Sequence, residues 1–179
     1  MKKTIIVLVG LPGSGKTTAA RFFKKNNIPV IRMGSVTEKF LREKGKKITE
    51  KNEYKERMDL RKIEGEDIYA RLTLPCVVAS LKKNDTVVIE GMMSLSEKEY
   101  FENKLKQIKI IYIESPKSVR FNRLKKRELR PLNALEAEKR DRYEIDKLGK
   151  LKLKKDADVI ILNEMSLEEF NKKLESLLE

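Results

Sequence analysis

The most constraining feature of this sequence is a glycine-rich stretch at residues 10–18, which reads GLPGSGKTT. It follows an apolar run at residues 4–9 and precedes a helix-like run that begins at Thr17. The order strand, glycine loop, helix is the context in which the spacing GxxxxGK[ST] forms a phosphate-binding loop. Glycines let backbone N–H groups turn towards phosphate oxygens, and the N-terminus of the helix adds partial positive charge. The stretch therefore predicts a nucleoside triphosphate site.

Each part of this loop has a predicted role in holding ATP and Mg²⁺, which are the predicted cofactors. Lys16 is expected to reach the β- and γ-phosphates, the Thr17 hydroxyl to bind Mg²⁺, and Thr18 to bond the α-phosphate. The predicted donor-binding residues of the loop are Gly10, Pro12, Gly13, Ser14, Gly15, Lys16, Thr17 and Thr18. The alternative is an ordinary strand-to-helix turn that is rich in glycine.

Length and composition indicate one compact domain over residues 1–179. Since no apolar run approaches a membrane span and the first strand begins within three residues, we expect neither anchor nor signal peptide, and a cytoplasmic protein. The single cysteine, Cys76, lies in an apolar run, where we expect it to be buried. The absence of histidine excludes a Cys/His metal site and a histidine general base.

The chain carries a formal net charge of +13, and charged residues make up 39% of it. One interpretation of this excess is a nucleic-acid partner such as RNA. The other is a surface rich in lysine and glutamate, with a positive cleft for phosphates. We favour the second interpretation, because charges of both signs are interspersed and the sequence has no basic tail.

Apolar runs alternate with helical patterns along the whole chain, which is typical of an α/β fold with a parallel sheet. We predict five strands, at residues 4–9, 28–33, 85–91, 108–114 and 156–163.

Helices are predicted between these strands, among them one at residues 15–26 and one at residues 97–106. Ser35, with Glu38 three residues later, has the pattern of a helix N-cap, and Ser166 is predicted to cap the last helix.

Two segments stand out between the predicted strands. Residues 36–83 show a helical pattern and are too long for a simple strand connection, and such an insertion commonly supplies a substrate-binding flap. Residues 120–142, which we call the basic segment, hold the highest density of arginine and lysine, and Pro131 interrupts its helical pattern.

Three features beyond the loop favour phosphoryl transfer. Glu90 ends an apolar strand, where an acidic residue often helps to hold the metal; the alternative is a surface carboxylate. Arginines of the basic segment could close over the phosphates, or else form a solvated helix face. Arg57, Arg61 and Arg71 of the insertion could hold an acceptor phosphate; we choose Arg61, with a surface salt bridge as the alternative. The guanine-binding motif Asn-Lys-x-Asp is not present.

Six stretches agree in order and spacing with a known family: residues 10–17, 30–34 (VIRMG), 60–65 (LRKIEG), 88–91 (VIEG), 115–124 (SPKSVRFNRL) and 140–142 (RDR). On these residues the whole chain resembles the archaeal adenylate-kinase-related P-loop kinases, a family often described as dephospho-coenzyme A kinase-like.

The resemblance implies a three-layer α/β/α P-loop fold of nucleoside-monophosphate-kinase type, with an acceptor-binding helical insert at about 34–83 and a lid at about 125–142. It also implies that Arg123 and the loop after Asn163 border the donor adenine. By similarity to adenylate kinase lids, the arginines expected to act on the phosphates are Arg123, Arg130, Arg140 and Arg142. The acceptor-binding candidates are Met33, Gly34, Ser35, Glu90 and Gly91, together with Arg61.

The sequence departs from the family pattern at Ser35, Glu38 and Met93, where the family tends to place aspartate, arginine and arginine. A hydroxyl acceptor needs a general base, and no aspartate follows the second strand to serve as one, although Glu38 or Glu90 could. A phosphate acceptor needs no base, because its oxygens are already ionised at neutral pH. The departure at Ser35 therefore favours a phosphate acceptor.

These observations together favour an ATP- and Mg²⁺-dependent nucleotide kinase of adenylate kinase type, which transfers the γ-phosphate to a nucleoside monophosphate, AMP first. Two alternatives stay open. One is a nucleotide-switched ATPase that acts as an assembly factor on RNA or ribonucleoprotein. The other is a dephospho-coenzyme A kinase.

Overall fold

Five parallel strands form a single sheet at the centre of the fold. In the computed structural model, which describes residues 3–105, 107–164 and 166–178, they are β1 (Thr4–Val9), β2 (Val30–Arg32), β3 (Thr86–Glu90), β4 (Lys109–Glu114) and β5 (Val159–Leu162). Their order across the sheet is β2-β3-β1-β4-β5, and every neighbouring pair is parallel. The predicted five-stranded parallel sheet is therefore confirmed.

Helices connect the strands and follow the last one. Those in the described ranges are α1 (Lys16–Lys25), α2 (Ser35–Glu43), α3 (Glu50–Glu64), α4 (Ile68–Leu81), α5 (Leu95–Lys104), α6 (Lys117–Lys126), α7 (Ala134–Arg142), α8 (Lys150–Lys155) and α9 (Leu167–Glu175). A π-helix, Tyr143–Lys147, continues α7 directly. None of the described helices combines the length and the apolar character that crossing a bilayer requires. The end predicted for α5, Lys106, lies outside the described residues, as do both ends of the predicted domain, residues 1 and 179.

The sheet is covered on both faces because the side chains of its strands alternate between two cores. Ile5, Val7 and Val9 of β1 pack with helices α3, α4 and α5 on one face. Ile6 and Leu8 pack with α1 and α9 on the other face. None of these five side chains is more than 4% exposed. The fold is the three-layer α/β/α arrangement that the resemblance implies.

Two connections carry structure of their own. Between β2 and β3 the chain forms α2, α3 and α4, so the long helical pattern predicted there corresponds to three helices. Within the basic segment, Leu124, Leu132 and Ala137 form a small separate core with Phe121. This core packs the loop between α6 and α7 against both helices.

Two local predictions are wrong. Ser35 does not cap α2 but is its first residue, and its Oγ donates a hydrogen bond to the backbone oxygen of Arg32 at 2.6 Å. Glu38 pairs with the Arg32 guanidinium instead of closing a capping box. Cys76 is exposed, because it lies on the side of α4 that faces away from the sheet, while the next residue, Val77, is fully buried.

We expect Phe101→Ala to destabilise the chain by about 3–5 kcal/mol, because it removes a fully buried ring from the core between α5 and the sheet. Ile63→Ala is the control, since Ile63 is 77% exposed and its truncation should change stability by less than about 0.5 kcal/mol. Urea unfolding measures both changes. A loss below about 1 kcal/mol for Phe101→Ala would contradict the described packing.

Candidate active site

The phosphate-binding loop, residues 10–17, connects β1 to α1 in a turn that its glycines make possible. Gly13 and Gly15 have φ angles of 79° and 109°, in the left-handed region that favours glycine. A Cβ on Gly13 would lie 2.6 Å from the backbone oxygen of Arg120, and a Cβ on Gly15 would collide with the side-chain amide of Asn163. The loop therefore packs so closely against its neighbours that these two positions exclude larger side chains.

Side chains that follow β4 and β5, including one from α6, hold the loop in place. Arg120 Nη1 donates a hydrogen bond to the backbone oxygen of Pro12 at 3.0 Å. The backbone oxygen of Ser14 accepts hydrogen bonds from Asn163 Nδ2 at 2.8 Å and from Ser115 Oγ at 3.2 Å. Because the loop carbonyls are bound from outside in this way, the loop backbone is fixed before any ligand arrives.

Lys16 lies inside the curve of the loop. Its Nζ donates hydrogen bonds to the backbone oxygens of Gly10 and Leu11, at 2.6 and 2.9 Å. Burial lowers the pKa of its ammonium group to about 7, against the attraction of Glu144. A phosphate would restore the charge of this ammonium group, since an anion close to an amine favours its protonated form.

Thr17 and Glu90 meet beside the loop, as their predicted metal role requires. Thr17 Oγ1 donates a hydrogen bond to Glu90 Oε1 at 2.8 Å. The register that pairs Leu8 of β1 with Glu90 of β3 brings this carboxylate to the start of the loop. Mg²⁺ is usually held by one or two protein oxygens together with substrate phosphates, so the hydroxyl and the carboxylate form a suitable donor set.

Ser14 gives a second indication that the loop fits a phosphate. Its Oγ is buried, and it has no hydrogen-bond partner in the part of the chain that the structure describes. Buried hydroxyl groups are normally hydrogen-bonded. A phosphate oxygen in the loop is the acceptor that would complete this group.

Arg123 and Asn163, the predicted neighbours of the donor adenine, lie together beside the loop. Arg123 Nη1 donates hydrogen bonds to Ser115 Oγ at 3.1 Å and to the backbone oxygen of Asn163 at 3.2 Å. The structure thus brings both residues to the edge of the phosphate-binding loop, and their contact with adenine stays a prediction.

Two of the predicted phosphate-binding arginines are bound by carboxylates of α3. Arg140 Nη1 donates a hydrogen bond to Glu50 Oε1 at 2.8 Å, and Arg130 Nη1 donates one to Glu53 Oε1. The basic segment is therefore linked by ion pairs to the helical connection between β2 and β3. Most of these side chains are at least partly buried, so these pairs are less screened than surface pairs.

The side chain of Arg142, another of the predicted arginines, is turned to solvent. Its side chain is 74% exposed, and its Nε lies 3.7 Å from Glu138 Oε1 on the same helix. The structure does not group it with Arg130 and Arg140, and a phosphate contact of Arg142 would need α7 to turn.

The candidates that follow β2 and β3 lie side by side. Met33 is 1% exposed, and its backbone N–H donates to the backbone oxygen of Glu90 at 2.9 Å. A Cβ on Gly91 would lie 3.9 Å from the backbone nitrogen of Gly34, so Gly34 and Gly91 face each other. Ser35 follows directly, with its hydroxyl turned to the backbone of Arg32.

Arg61, our choice for the acceptor phosphate, has a different environment. It is 6% exposed, its Nη2 donates to Glu97 Oε1 at 2.7 Å, and its guanidinium lies 4.5 Å from the centroid of the Tyr69 ring. Glu97 also accepts hydrogen bonds from the backbone N–H groups of Met93 and Ser94. Arg61 therefore holds the carboxylate that binds the backbone of the loop after β3.

A small cavity of about 10 Å³ lies between α3 and the π-helix. Its lining residues are Tyr54, Arg57, Met58, Met93, Arg140, Tyr143 and Glu144. The rings of Tyr54 and Tyr143 meet edge to face, with their centroids 6.1 Å apart. Aromatic rings, flexible methionines and two guanidinium groups thus line one space that also borders Glu144, the carboxylate that attracts Lys16.

Sequence reasoning did not identify most of this cavity. Arg57 was one of three candidate arginines, whereas Tyr54, Met58 and Tyr143 belong to no recognised motif. Tyr54 and Met58 are four residues apart and so share one face of α3. The spacing indicates that the two side chains lie together, but only the structure shows that this face of α3 lines the cavity.

Glu144 and Lys150 add buried charges that the sequence did not reveal, since they are only 3% and 1% exposed. Lys150 Nζ lies 3.4 Å from Glu144 Oε2 and donates a hydrogen bond to the backbone oxygen of Met92 at 2.9 Å. Burial alone would raise the pKa of Glu144, but the cations Lys150, Arg140 and Lys16 together outweigh it and lower this pKa to about 2. Glu144 is therefore a fixed negative charge.

The fold and the loop together define a P-loop protein with a kinase-like fold. Residues 6–144 match the family described as an AAA domain. The chain is 33% identical to a UPF0200 protein of Thermococcus onnurineus over 179 residues, which cover 98% of this chain and 96% of that protein. It is 35% identical to a UPF0200 protein of Pyrococcus horikoshii over 178 residues, which cover 97% and 95% of the two chains. The chain belongs to the UPF0200 family.

Solved structures with the same fold include shikimate kinases. The shikimate kinase from Bacteroides thetaiotaomicron superimposes on this chain with a TM-score of 0.63 at 20% identity, and the superposition covers 98% of each chain. The protein TT1252 from Thermus thermophilus superimposes with a TM-score of 0.66 at 19% identity, covering 99% of this chain and 97% of that one. At this level of identity the likeness establishes the fold and does not extend to the substrate.

We expect Glu144 to make stability depend on pH in acid. Because its folded pKa of about 2 lies below the unfolded value of about 4.3, the unfolded chain binds more protons between these values. This contribution, about 3 kcal/mol, is complete above about pH 4.3 and is lost as the pH falls through about 2.

Urea unfolding of the wild type and Glu144→Gln between pH 5 and pH 2 tests this expectation. The variant should lose stability less steeply as the pH falls. Glu99→Gln, at an exposed position of α5, is the control and should keep the wild-type slope. Equal slopes in the wild type and in Glu144→Gln would show that Glu144 does not carry the effect.

Proposed function

We propose that this protein is an ATP-dependent kinase that transfers the γ-phosphate to a small acceptor bearing a phosphate, with AMP as the leading candidate. The observation that carries the proposal is the cavity between α3 and the π-helix, which borders Glu144, the carboxylate that attracts Lys16. It combines Arg57 and Arg140, which suit a phosphate, with Tyr54 and Tyr143, which suit a planar base.

The donor side of this proposal rests on the loop. Lys16 and the backbone N–H groups of the loop hold the donor phosphates. Thr17 and Glu90 are the residues that would hold Mg²⁺, and the metal, when bound, would neutralise charge on the phosphates. Arg123 and Asn163 border the space beyond the loop, where the adenine would lie.

The basic segment acts as a lid in this proposal. Arg130, in the loop that links α6 to α7, and Arg140, near the end of α7, both reach across to α3. In phosphoryl transfer, negative charge spreads over the oxygens of the transferred group, and guanidinium groups placed there stabilise it. Arg140 has the better position, because it also lines the cavity.

The carboxylates around the cavity favour a phosphate acceptor over a hydroxyl acceptor. A hydroxyl acceptor gains from a general base whose pKa lies near neutrality. The pKa of Glu144, held at about 2 by its neighbouring cations, makes it a weak base. Glu50 and Glu53 are both bound by arginines, and Glu90 accepts a hydrogen bond from Thr17. A phosphate acceptor needs none of these groups as a base.

The cavity also sets a requirement on motion. Its volume of about 10 Å³ holds about one water molecule. A nucleoside monophosphate can enter only if α3 and the π-helix move apart, and movement of a lid and an insert is common in enzymes that exclude water during transfer.

Calorimetric titration with AMP, in the presence of Mg²⁺ and a non-hydrolysable ATP analogue, tests the acceptor assignment. We expect saturable binding, and Arg57→Met should weaken it about 10–100-fold, which is the loss of a charge-assisted hydrogen bond. If Arg57 binds the acceptor alone, the same variant should change the affinity for the ATP analogue by less than about threefold.

Arg42→Met is the matched control, because Arg42 is an exposed arginine on the neighbouring α2. If AMP shows no saturable binding beside the bound analogue, the acceptor assignment is wrong. Dephospho-coenzyme A and RNA are then titrated under the same conditions, and RNA affinity that falls steeply with salt would favour the assembly-factor alternative.

A further inference from the structure

One carboxylate in the cavity region has three guanidinium neighbours. Glu50 Oε1 lies 3.0 Å from Arg57 Nη2 and 2.8 Å from Arg140 Nη1, and Glu50 Oε2 lies 3.6 Å from Arg127 Nη2. Arg57 lies in α3, Arg140 lies in α7, and Arg127 is the residue directly after α6. Three separate parts of the chain therefore converge on one pair of oxygens.

This arrangement has the chemistry of an oxyanion site. Guanidinium groups bind carboxylates and phosphates with the same planar donor geometry, so a site that holds one can hold the other. Arg57 also lies 3.9 Å from Glu53, and Arg140 lies 3.3 Å from Glu144, so neighbouring carboxylates share their charge. Among the described residues, Glu50 is the carboxylate that contacts all three guanidinium groups, and it offers them only two oxygens. A phosphate monoester dianion, with three oxygens, matches these donors better than the carboxylate does.

Arg127 shows that the carboxylate does not satisfy all of these donors. Its Nη2 is buried and has no hydrogen-bond partner among the described residues, although Glu50 is its nearby counter-charge. Burial lowers the pKa of the Arg127 guanidinium, and the nearby charge of Arg140 lowers it further, against the attraction of Glu50. A third oxygen, which a phosphate has and a carboxylate lacks, would complete this site.

The Glu50 side chain also lies at a position from which it can move away from the three arginines. Glu50 is the first residue of α3, and residues 42–49 before it are all exposed, so the segment that leads to Glu50 is not packed in a core. Thr49 caps the helix through a hydrogen bond from the backbone N–H of Asn52, so the Glu50 side chain is not needed as a cap. When the Glu50 side chain turns to solvent it gives up its ion pairs with Arg57, Arg127 and Arg140, and a phosphate in its place would restore them.

We propose that the Glu50 carboxylate occupies the binding site of a substrate phosphate oxyanion, formed by Arg57, Arg127 and Arg140, and that the phosphate must displace it. The inference rests on the proposed function for its substrate class, a phosphate monoester or the γ-phosphate of ATP. It identifies Glu50 as an internal competitor that sets the affinity for that phosphate.

Removing the charge of Glu50 tests the inference, because Glu50→Gln keeps the shape of the side chain and removes the competing anion. Calorimetric titrations measure the affinities for AMP and, separately, for a non-hydrolysable ATP analogue with Mg²⁺. We expect the affinity for one of these two ligands to rise at least tenfold. A damaged fold would weaken binding, so a gain in affinity is not a consequence of misfolding.

Glu43→Gln is the matched control. It makes the same change of net charge on the same helical connection, at an exposed carboxylate 56% open to solvent that pairs only loosely with Lys39. This control should leave both affinities within about twofold of the wild type. Adding Arg57→Met to Glu50→Gln should abolish the gain, because the double variant lacks part of the guanidinium site.

The outcomes separate the two sources of phosphate. A gain for AMP alone assigns the site to the acceptor, and a gain for the ATP analogue alone assigns it to the donor γ-phosphate. Affinities that change no more than in Glu43→Gln overturn the inference, whatever the activity of the protein.

The inference and the proposed function can fail independently. Binding is measured without turnover, so a gain in affinity together with no phosphoryl transfer would retain the oxyanion site and reject the kinase. Transfer to AMP with wild-type affinities and Michaelis constants in Glu50→Gln would retain the kinase and reject the role of Glu50.

Discussion

The binding of the phosphate-loop carbonyls by side chains from α6 and from the segment after β5 is the interaction on which the site depends. Pro12 and Ser14 offer their backbone oxygens to Arg120 and Asn163, which come from beyond the ends of β4 and β5. With the carbonyls bound outward, the loop amides are free to face a ligand. Arg120 in turn is paired with Asp141 of α7 at 2.6 Å, so the same contact connects the loop to the basic segment.

Charge compensation is the second principle of the site. The chain carries a net charge of +13, yet Arg130 and Arg140 of the basic segment are matched by carboxylates of α3 and the π-helix. Buried unpaired charges are costly, so these pairs keep the cations in place near the loop. The buried pair of Lys150 and Glu144 extends this arrangement to the backbone after β3, because Lys150 also binds the oxygen of Met92. A phosphate that binds here therefore finds guanidinium groups already in position, but it must compete with the carboxylates that are paired with them.

The sequence predicted the framework because its signals are local. The glycine spacing requires a strand before it and a helix after it, and both are present as β1 and α1. The five apolar runs became five parallel strands, and Ser166 with Glu169 forms the capping box that begins α9. Ser35 and Glu38 show the same spacing without the box, because Arg32 attracts the Glu38 carboxylate and the Ser35 hydroxyl bonds to the backbone of Arg32.

The acceptor side was not predictable in the same way. Arg57 and Arg61 lie one turn apart on α3, and nothing in their sequence distinguishes the one that lines the cavity from the one that binds Glu97. The difference comes from the buried ion pair of Arg61 with Glu97 of α5, which is a contact between residues far apart in the sequence. The π-helix that places Tyr143 and Glu144 has no sequence signature either. The roles of the site residues accordingly stay predictions that only chemistry can test.

The most direct test of the central claim is to follow the γ-phosphate of labelled ATP in the presence of Mg²⁺ and AMP. The account predicts that the label moves to AMP and appears in the β-position of ADP. Lys16→Met, which removes the ammonium group from the loop, should slow this transfer at least about 100-fold. Label that reaches only inorganic phosphate, or that stays in ATP with AMP and the other nucleoside monophosphates, would contradict the assignment of this chain as a nucleotide kinase.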